Sequence, residues 1–176
     1  SYQVINIGKP VSDFSIVGNQ NNVCLTDAEI DFEISNFETN SSDTTYTVDF
    51  GDGSTSETYT QDEIQDDNVV SHIYEKVSCS EPNGAFIATL SMQNLCSTTE
   101  VVVSDIKILE SSIAEFESQD IACINSDIEF INKSFIGDNI DCNKAANFQW
   151  DFGDGTIVND NASSVLTNQT HQYANS

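Results

Sequence analysis

A seven-residue stretch occurs twice in the chain. Val48-Asp49-Phe50-Gly51-Asp52-Gly53-Ser54 returns 102 residues later as Trp150-Asp151-Phe152-Gly153-Asp154-Gly155-Thr156. Other segments return with it, in the same order. Asp13-Phe14 reappears as Glu115-Phe116 at offset 102, and Cys24 as Cys123 at 99. Glu29-Ile30-Asp31-Phe32 reappears as Asp127-Ile128-Glu129-Phe130 at 98, and His72-Ile73-Tyr74 as His171-Gln172-Tyr173 at 99. A drift of three or four residues is what small loop insertions produce. The chain is therefore constrained to fold as a repeat with a unit of about 100 residues, each copy burying its own core.

The period also sets the phase. Val101 to Leu109 alternates as the closing strand of the first copy, and Tyr2 to Ile7 falls at the place of its second half one period earlier. Residues 1–9 thus read as the last strand of a preceding repeat, 10–110 as repeat 1 and 111–176 as repeat 2. In repeat 1 about 35 residues follow Tyr74, whereas three follow Tyr173, so repeat 2 reads as C-terminally incomplete. The expectation is a window cut from a longer array.

Period-two alternation dominates, as in Ile30-Asp31-Phe32-Glu33-Ile34, Tyr46-Thr47-Val48-Asp49-Phe50 and Phe148-Gln149-Trp150-Asp151-Phe152. Clusters of Gly, Asp, Asn and Ser separate these runs. One helical turn fits at Thr60–Asp67; nothing longer is signalled. About seven short strands per hundred residues is the arithmetic of a two-sheet sandwich. The expected fold is all-β, with Phe14/Phe116, Phe32/Phe130 and Phe50/Phe152 as matched core positions. Trp150, in the place of Val48, is expected to anchor the second core.

Within the motif, Gly51, Gly53, Gly153 and Gly155 supply backbone freedom for a turn. Asp49, Asp52, Asp151 and Asp154 favour the same turn because their carboxylates accept nearby backbone N–H bonds. Phe50 and Phe152 point away from the preceding Asp residues and into the core.

Charge removes several function classes. Five Lys, no Arg and 29 acidic residues leave a net charge of -24. Such a chain is repelled by nucleic acid and by anionic membranes. No apolar run approaches the roughly 20 residues that cross a bilayer. The five Cys form no C-x-x-C pair, against a structural zinc site. Scattered Cys in an acidic, Ser/Thr/Asn-rich chain point to an oxidising, extracytoplasmic setting. The odd count leaves at least one thiol without a partner.

Catalytic readings fail on context. Asp-Phe-Gly also occurs in protein kinases, but this chain has no Gly-rich phosphate loop and no catalytic-loop motif. His72 and His171 have no nucleophile at fixed spacing. Each precedes a core Tyr, which points to a structural hydrogen bond. Carboxylate pairs are inevitable among 29 acids and do not by themselves make a glycosidase site. The chain reads as a non-enzyme. Asn40, Asn132, Asn161 and Asn168 begin N-x-S/T sequons that a bacterial protein would leave unused.

The order V/W-D-F-G-D-G, then H-x-Y about 20 residues on, then an alternating strand, resembles the PKD domain. The resemblance spans repeat 1 and repeat 2 up to its H-x-Y. It implies tandem immunoglobulin-like sandwiches. The segment Glu75–Gly84, with Cys79, is longer than the turn usual in that family. Tandem PKD repeats in a very acidic chain are similar to bacterial surface proteins, including gliding-motility adhesins. The implied role is a stiff spacer and interaction module of a secreted or cell-surface bacterial protein. Its partners would be neighbouring repeats, other surface proteins or glycans, without nucleic acid or membrane insertion. The alternative is a non-catalytic accessory module of a secreted hydrolase, marked by exposed aromatics on one flat face. The linker Glu110–Ala114, without Gly or Pro, would permit limited bending.

Calcium is the cofactor that the resemblance raises, with Asp49, Asp52, Asp151 and Asp154 as candidates by motif position. Asp13, Asp105, Glu110 and Glu115 lie near the linkers. The other reading of these carboxylates is a solvated acidic face. The implied sandwich also suggests a disulfide. Cys24 and Cys79 fall in loops at one end, making Cys24–Cys79 the favoured pair and Cys24–Cys96 its competitor.

Overall fold

A computed structural model describes residues 8–163 and 165–174, without the side chains of 161–163. The reading of residues 1–9 as a strand falls, apart from the exposed Gly8 and Lys9, outside the described residues. The chain divides into two compact units, Ser1–Ile108 and Leu109–Ser176.

Unit 1 is a β-sandwich. Its first sheet holds β1 (Asp13–Ile16), β3 (Glu29–Ser35) and β6 (Val69–Ile73), in the order β1-β3-β6. The second holds β2 (Asn22–Cys24), β4 (Thr45–Asp49), β5 (Glu57–Thr60), β7 (Phe86–Gln93) and β8 (Thr98–Leu109), in the order β2-β8-β7-β4-β5. The pairs β1–β3, β3–β6, β4–β5, β4–β7 and β7–β8 are antiparallel.

Alternation supplies the inner faces. Strand β3 buries Ile30, Phe32 and Ile34 and exposes the residues between, while β7 buries Phe86, Ala88, Leu90 and Met92. They join Tyr46, Val48, Ile106 and Ile108 in one apolar cluster. Aromatic rings run through it, with Phe14 stacked on Phe32 at 5.3 Å and Phe32 against Phe50 at 5.7 Å.

The single α-helix among the described residues is α1 (Gln61–Asp66). It starts where Thr60 accepts the Glu63 amide and Glu63 reaches back to the Thr60 amide. Ile64 faces the core and is fully buried. This is the helical turn expected at Thr60–Asp67.

Unit 2 has β9 (Phe116–Ser118), β10 (Asp127–Asn132), β11 (Ala146–Asp151), β12 (Ile157–Ser163) and β13 (Gln169–Gln172). One sheet runs β13-β10-β9 and the other β11-β12. Where five strands stand in the second sheet of unit 1, two stand here among the described residues. That difference corrects the expected core. Phe130 and Phe152 are buried, but Phe116, whose ring meets those of Phe130 and Trp150, is 57 % exposed. Trp150 is half-buried, not the closed anchor expected, and its indole N–H is out of solvent without a hydrogen-bond partner.

The segment read as a linker is also corrected. Ile113 exchanges backbone hydrogen bonds with Phe135, Asp138 N–H bonds the Glu110 carbonyl, and Lys144 bridges Glu110 and Asp138. A Cβ on Gly137 would lie 2.1 Å from the Glu110 carbonyl oxygen. Residues 110–114 are thus laid into unit 2 as structure, because Gly137 leaves room for the Glu110 backbone.

All four motif glycines have positive φ, and the matched pair Gly51 and Gly153 differ in one respect. A Cβ on Gly51 (φ 77) would sit 2.2 Å from the Ile87 carbonyl oxygen on β7, whereas one on Gly153 (φ 79) would meet nothing within 4 Å. Gly153→Ala should therefore cost about 1–2 kcal/mol, the left-handed backbone penalty alone. Gly51→Ala should cost clearly more, since β7 must also move. Urea unfolding of the two variants checks the order; equal losses would contradict the contact with Ile87.

Candidate functional site

The Asp-Phe-Gly-Asp-Gly turn and the H-x-Y strand meet at one place in each unit. In unit 1 the turn closes β4. Asp49 Oδ1 accepts the Gly51 amide at 2.9 Å, and Asp52 Oδ1 accepts the Ser54 amide at 2.9 Å. These are the local turn bonds that Asp favours. The register of β3 with β6 sets His72 opposite Ile30. From there its imidazole lies flat on Phe50, with ring centres 3.8 Å apart and planes 3° from parallel. Its Nε2 stands 3.0 Å from Asp52 Oδ2. Tyr74 meets the imidazole edge-on at 4.6 Å and donates its hydroxyl to the Phe50 carbonyl at 3.1 Å.

Unit 2 repeats every one of these contacts. Asp151 accepts the Gly153 amide and Asp154 the Thr156 amide, each at 2.9 Å. His171, opposite Ile128, stacks on Phe152 at 4.3 Å and stands 2.8 Å from Asp154. Tyr173 is edge-on to His171 at 4.7 Å and donates to the Phe152 carbonyl at 2.9 Å.

The electrostatics follow. Burial pushes the Asp52 carboxyl up, but hydrogen bonds from Ser54 and His72 outweigh it and hold the group below its usual value. Asp154 is pulled down to about 2 by the Thr156 amide, with His171 and the Thr156 hydroxyl adding to the effect. Burial raises the Tyr74 phenol, reinforced by Asp52 and Asp49.

The chemistry of the cluster is that of a clamp. Ser54 Oγ donates to Asp52, the carboxylate that His72 faces. The histidines take the structural role their position before a Tyr suggested. Asp52 and Asp154 as their partners were not foreseen. The signal was in the sequence, since the second Asp and the His recur together in both copies.

The four calcium candidates are placed as turn residues. Each has one oxygen engaged by a backbone N–H, and two also face a histidine. Among the described residues no group of three or more His, Cys, Asp and Glu side chains is arranged to hold a metal ion. Of the acids near the linkers, Asp13 accepts from Asn36 and Glu110 pairs with Lys144. Asp105 adopts φ 62, and the Glu115 amide bonds Ser134.

The disulfide expectation is overturned. Cys24, Cys96 and Cys123 are free and exposed, whereas Cys79 in unit 1 is disulfide-bonded, and so, in unit 2, is Cys142. Both Cys24–Cys79 and Cys24–Cys96 are thereby excluded. Cys24 lies on β2, where Val23 turns inward against the core. Alternation sends Cys24 outward to solvent.

No family model matches the chain, and no curated protein sequence does. It is similar to the solution structure of the PKD domain from human VPS10 domain-containing receptor SorCS2. The TM-score is 0.47 and the identity 19%, over 61% of this chain and 80% of that one.

Two outcomes follow. Both histidine-paired carboxylates are depressed in the folded state. Their stabilisation is therefore complete above the unfolded value near 3.9 and is lost as pH falls towards about 2. Urea unfolding from pH 5 to 2 should show the loss, and Asp52→Asn with Asp154→Asn should flatten it; an unchanged slope would remove these residues from the acid response. Alkylation under non-reducing conditions should label Cys24, Cys96 and Cys123 but neither Cys79 nor Cys142.

Proposed function

We propose that this chain is a non-catalytic structural and interaction segment of a secreted or cell-surface protein. Its units act as stiff spacers that also present surfaces to proteins or carbohydrates. The observation that carries this reading is the duplicated Asp–His–Phe–Tyr clamp. Both histidines in the chain are packed against rings and paired with a turn carboxylate, so the groups best suited to acid–base work hold the turn to the core instead. We read the two units as copies of one PKD-type repeat on the same ground.

The disulfide-bonded cysteines suit an oxidising compartment. The acidic composition and the resemblance to adhesin repeats extend the proposal to a bacterial surface filament, gliding motility included. A polysaccharide-holding accessory module would need a flat row of exposed aromatics. Among the large hydrophobic residues exposed in the described region, Phe116 and Phe135 are the aromatic ones, and the rest are aliphatic.

Antibody labelling of intact cells tests the location: the chain should be reached without permeabilisation, and an internal location would overturn the reading. Affinity electrophoresis through neutral polysaccharides tests the role: retardation would favour the accessory module.

Calcium enters as a second test. Because each candidate carboxylate already accepts a backbone N–H, millimolar calcium should raise the melting temperature no more than sodium chloride at matched ionic strength. An increment beyond salt that Asp49→Asn or Asp151→Asn abolishes would instead give the turn a cation.

A further inference from the structure

Three steps in the chain set Asn or Asp before Gly: Asp52-Gly53, Asn83-Gly84 and Asp154-Gly155. The order matters chemically. A residue without a side chain leaves its backbone nitrogen open to approach the side-chain carbonyl carbon of the residue before it. Nitrogen and carbon can then close a five-membered ring. No other Asn precedes Gly.

The histidine clamp protects the two Asp-Gly steps. Asp52 Oδ1 accepts the Ser54 amide while Oδ2 faces His72, and Asp154 is held in the same way by Thr156 and His171. Both carboxyls lie below their usual value and stay ionised. An ionised carboxylate resists a nitrogen nucleophile, because it has no good leaving group. Asn83 has neither protection. Its side chain is exposed, and among the described residues its amide enters no hydrogen bond. The group is neutral, and it can release ammonia.

What restrains Asn83 is the turn around it. Asn83 stands at φ 61, ψ 14 between Pro82 and Gly84. At that ψ the Gly84 nitrogen is turned away from the Asn83 side chain, and its N–H donates to the Glu81 carbonyl at 2.9 Å. The Gly84 carbonyl accepts the hydroxyl of the buried Ser78, also at 2.9 Å. Ring closure needs the peptide between Asn83 and Gly84 to rotate. That rotation breaks the bond to Glu81 and pulls on the bond to Ser78.

We propose that Asn83 is a self-modification site, and that Ser78 sets its rate by holding the turn. The Gly84 nitrogen bonds to Asn83 Cγ as the Cγ–Nδ2 bond breaks, and the Gly84 amide proton leaves with the amino group as ammonia. Water then opens the ring. Attack at the side-chain carbonyl leaves Asp, and attack at the backbone carbonyl leaves isoaspartate, with the main chain routed through the former side chain. Nothing is oxidised or reduced. The Asp product keeps the turn, since Asp tolerates left-handed backbone. The iso product lengthens the main chain by one carbon and dismantles it. Either product adds a negative charge to a loop that already carries Glu75 and Glu81. The chain thereby keeps a one-way record of how long this turn has spent open. The inference does not depend on the spacer reading.

The test ages the full chain in neutral buffer made with heavy-oxygen water and maps its peptides by mass. The peptide holding Asn83 should be the first to exchange an amino group for a hydroxyl with one heavy oxygen. Asn83→Gly, which keeps the left-handed position, should end the early release of ammonia. Ser78→Ala should speed the conversion about tenfold, the loosening expected from losing a buried hydrogen bond. Far-UV circular dichroism shows whether that variant is folded, and a synthetic peptide of residues 80–88 gives the rate without the turn. Label appearing first at any other Asn or Asp would overturn the assignment. An unchanged rate in folded Ser78→Ala would overturn the role of Ser78. Should that variant not fold, the parent decides: a rate equal to that of the synthetic peptide overturns the restraint, and a slower one upholds it.

Discussion

An imidazole lying flat on a phenylalanine ring holds each unit together at its tightest point. His72 on Phe50 and His171 on Phe152 bring three things into contact: the turn that ends one sheet's strand, the core aromatic beneath it and a strand of the facing sheet. Asp52 and Asp154 fix the ring from the turn side, and Tyr74 and Tyr173 fix it by bonding the carbonyl of the stacked Phe. Remove the stack and the two sheets lose the piece that sets their spacing at this end. The second Asp and the terminal Tyr of the motif both serve that one contact.

Much of this was legible in the sequence, for a physical reason. A turn that needs left-handed backbone admits few residue types, so its pattern survives as a string that can be recognised twice. Alternation likewise exposes which residues of β3 and β7 face inward. What was not legible depends on neighbours distant in the chain. Phe116 has the right residue type and offset, yet it is exposed because burial needs a covering strand as well as an apolar side chain. Cys24 was misplaced because its direction is set by Val23 on a three-residue strand too short to show a period. The linker reading failed because Gly137, some 25 residues on, makes room for the Glu110 carbonyl, and no local pattern announces a distant accommodation.

The candidate site shows the same division. The turn-forming role of the four Asp residues could be read locally, since each bonds an amide two residues away. The histidine pairings span 20 and 17 residues and needed the β3–β6 and β10–β13 registers to place them.

The loop that carries Cys79 is closed by other means than its cysteine. Ser78 is fully buried, its amide bonds the Ile108 carbonyl, and its hydroxyl donates to the Gly84 carbonyl while accepting the Ile108 amide. Asn83 and Gly84, both in left-handed backbone, complete the reversal. The loop's shape is thus set by its own hydrogen bonds and turn, separately from the covalent bond that Cys79 makes. A reducing agent would then cut a covalent tie while leaving the bonds of Ser78 in place.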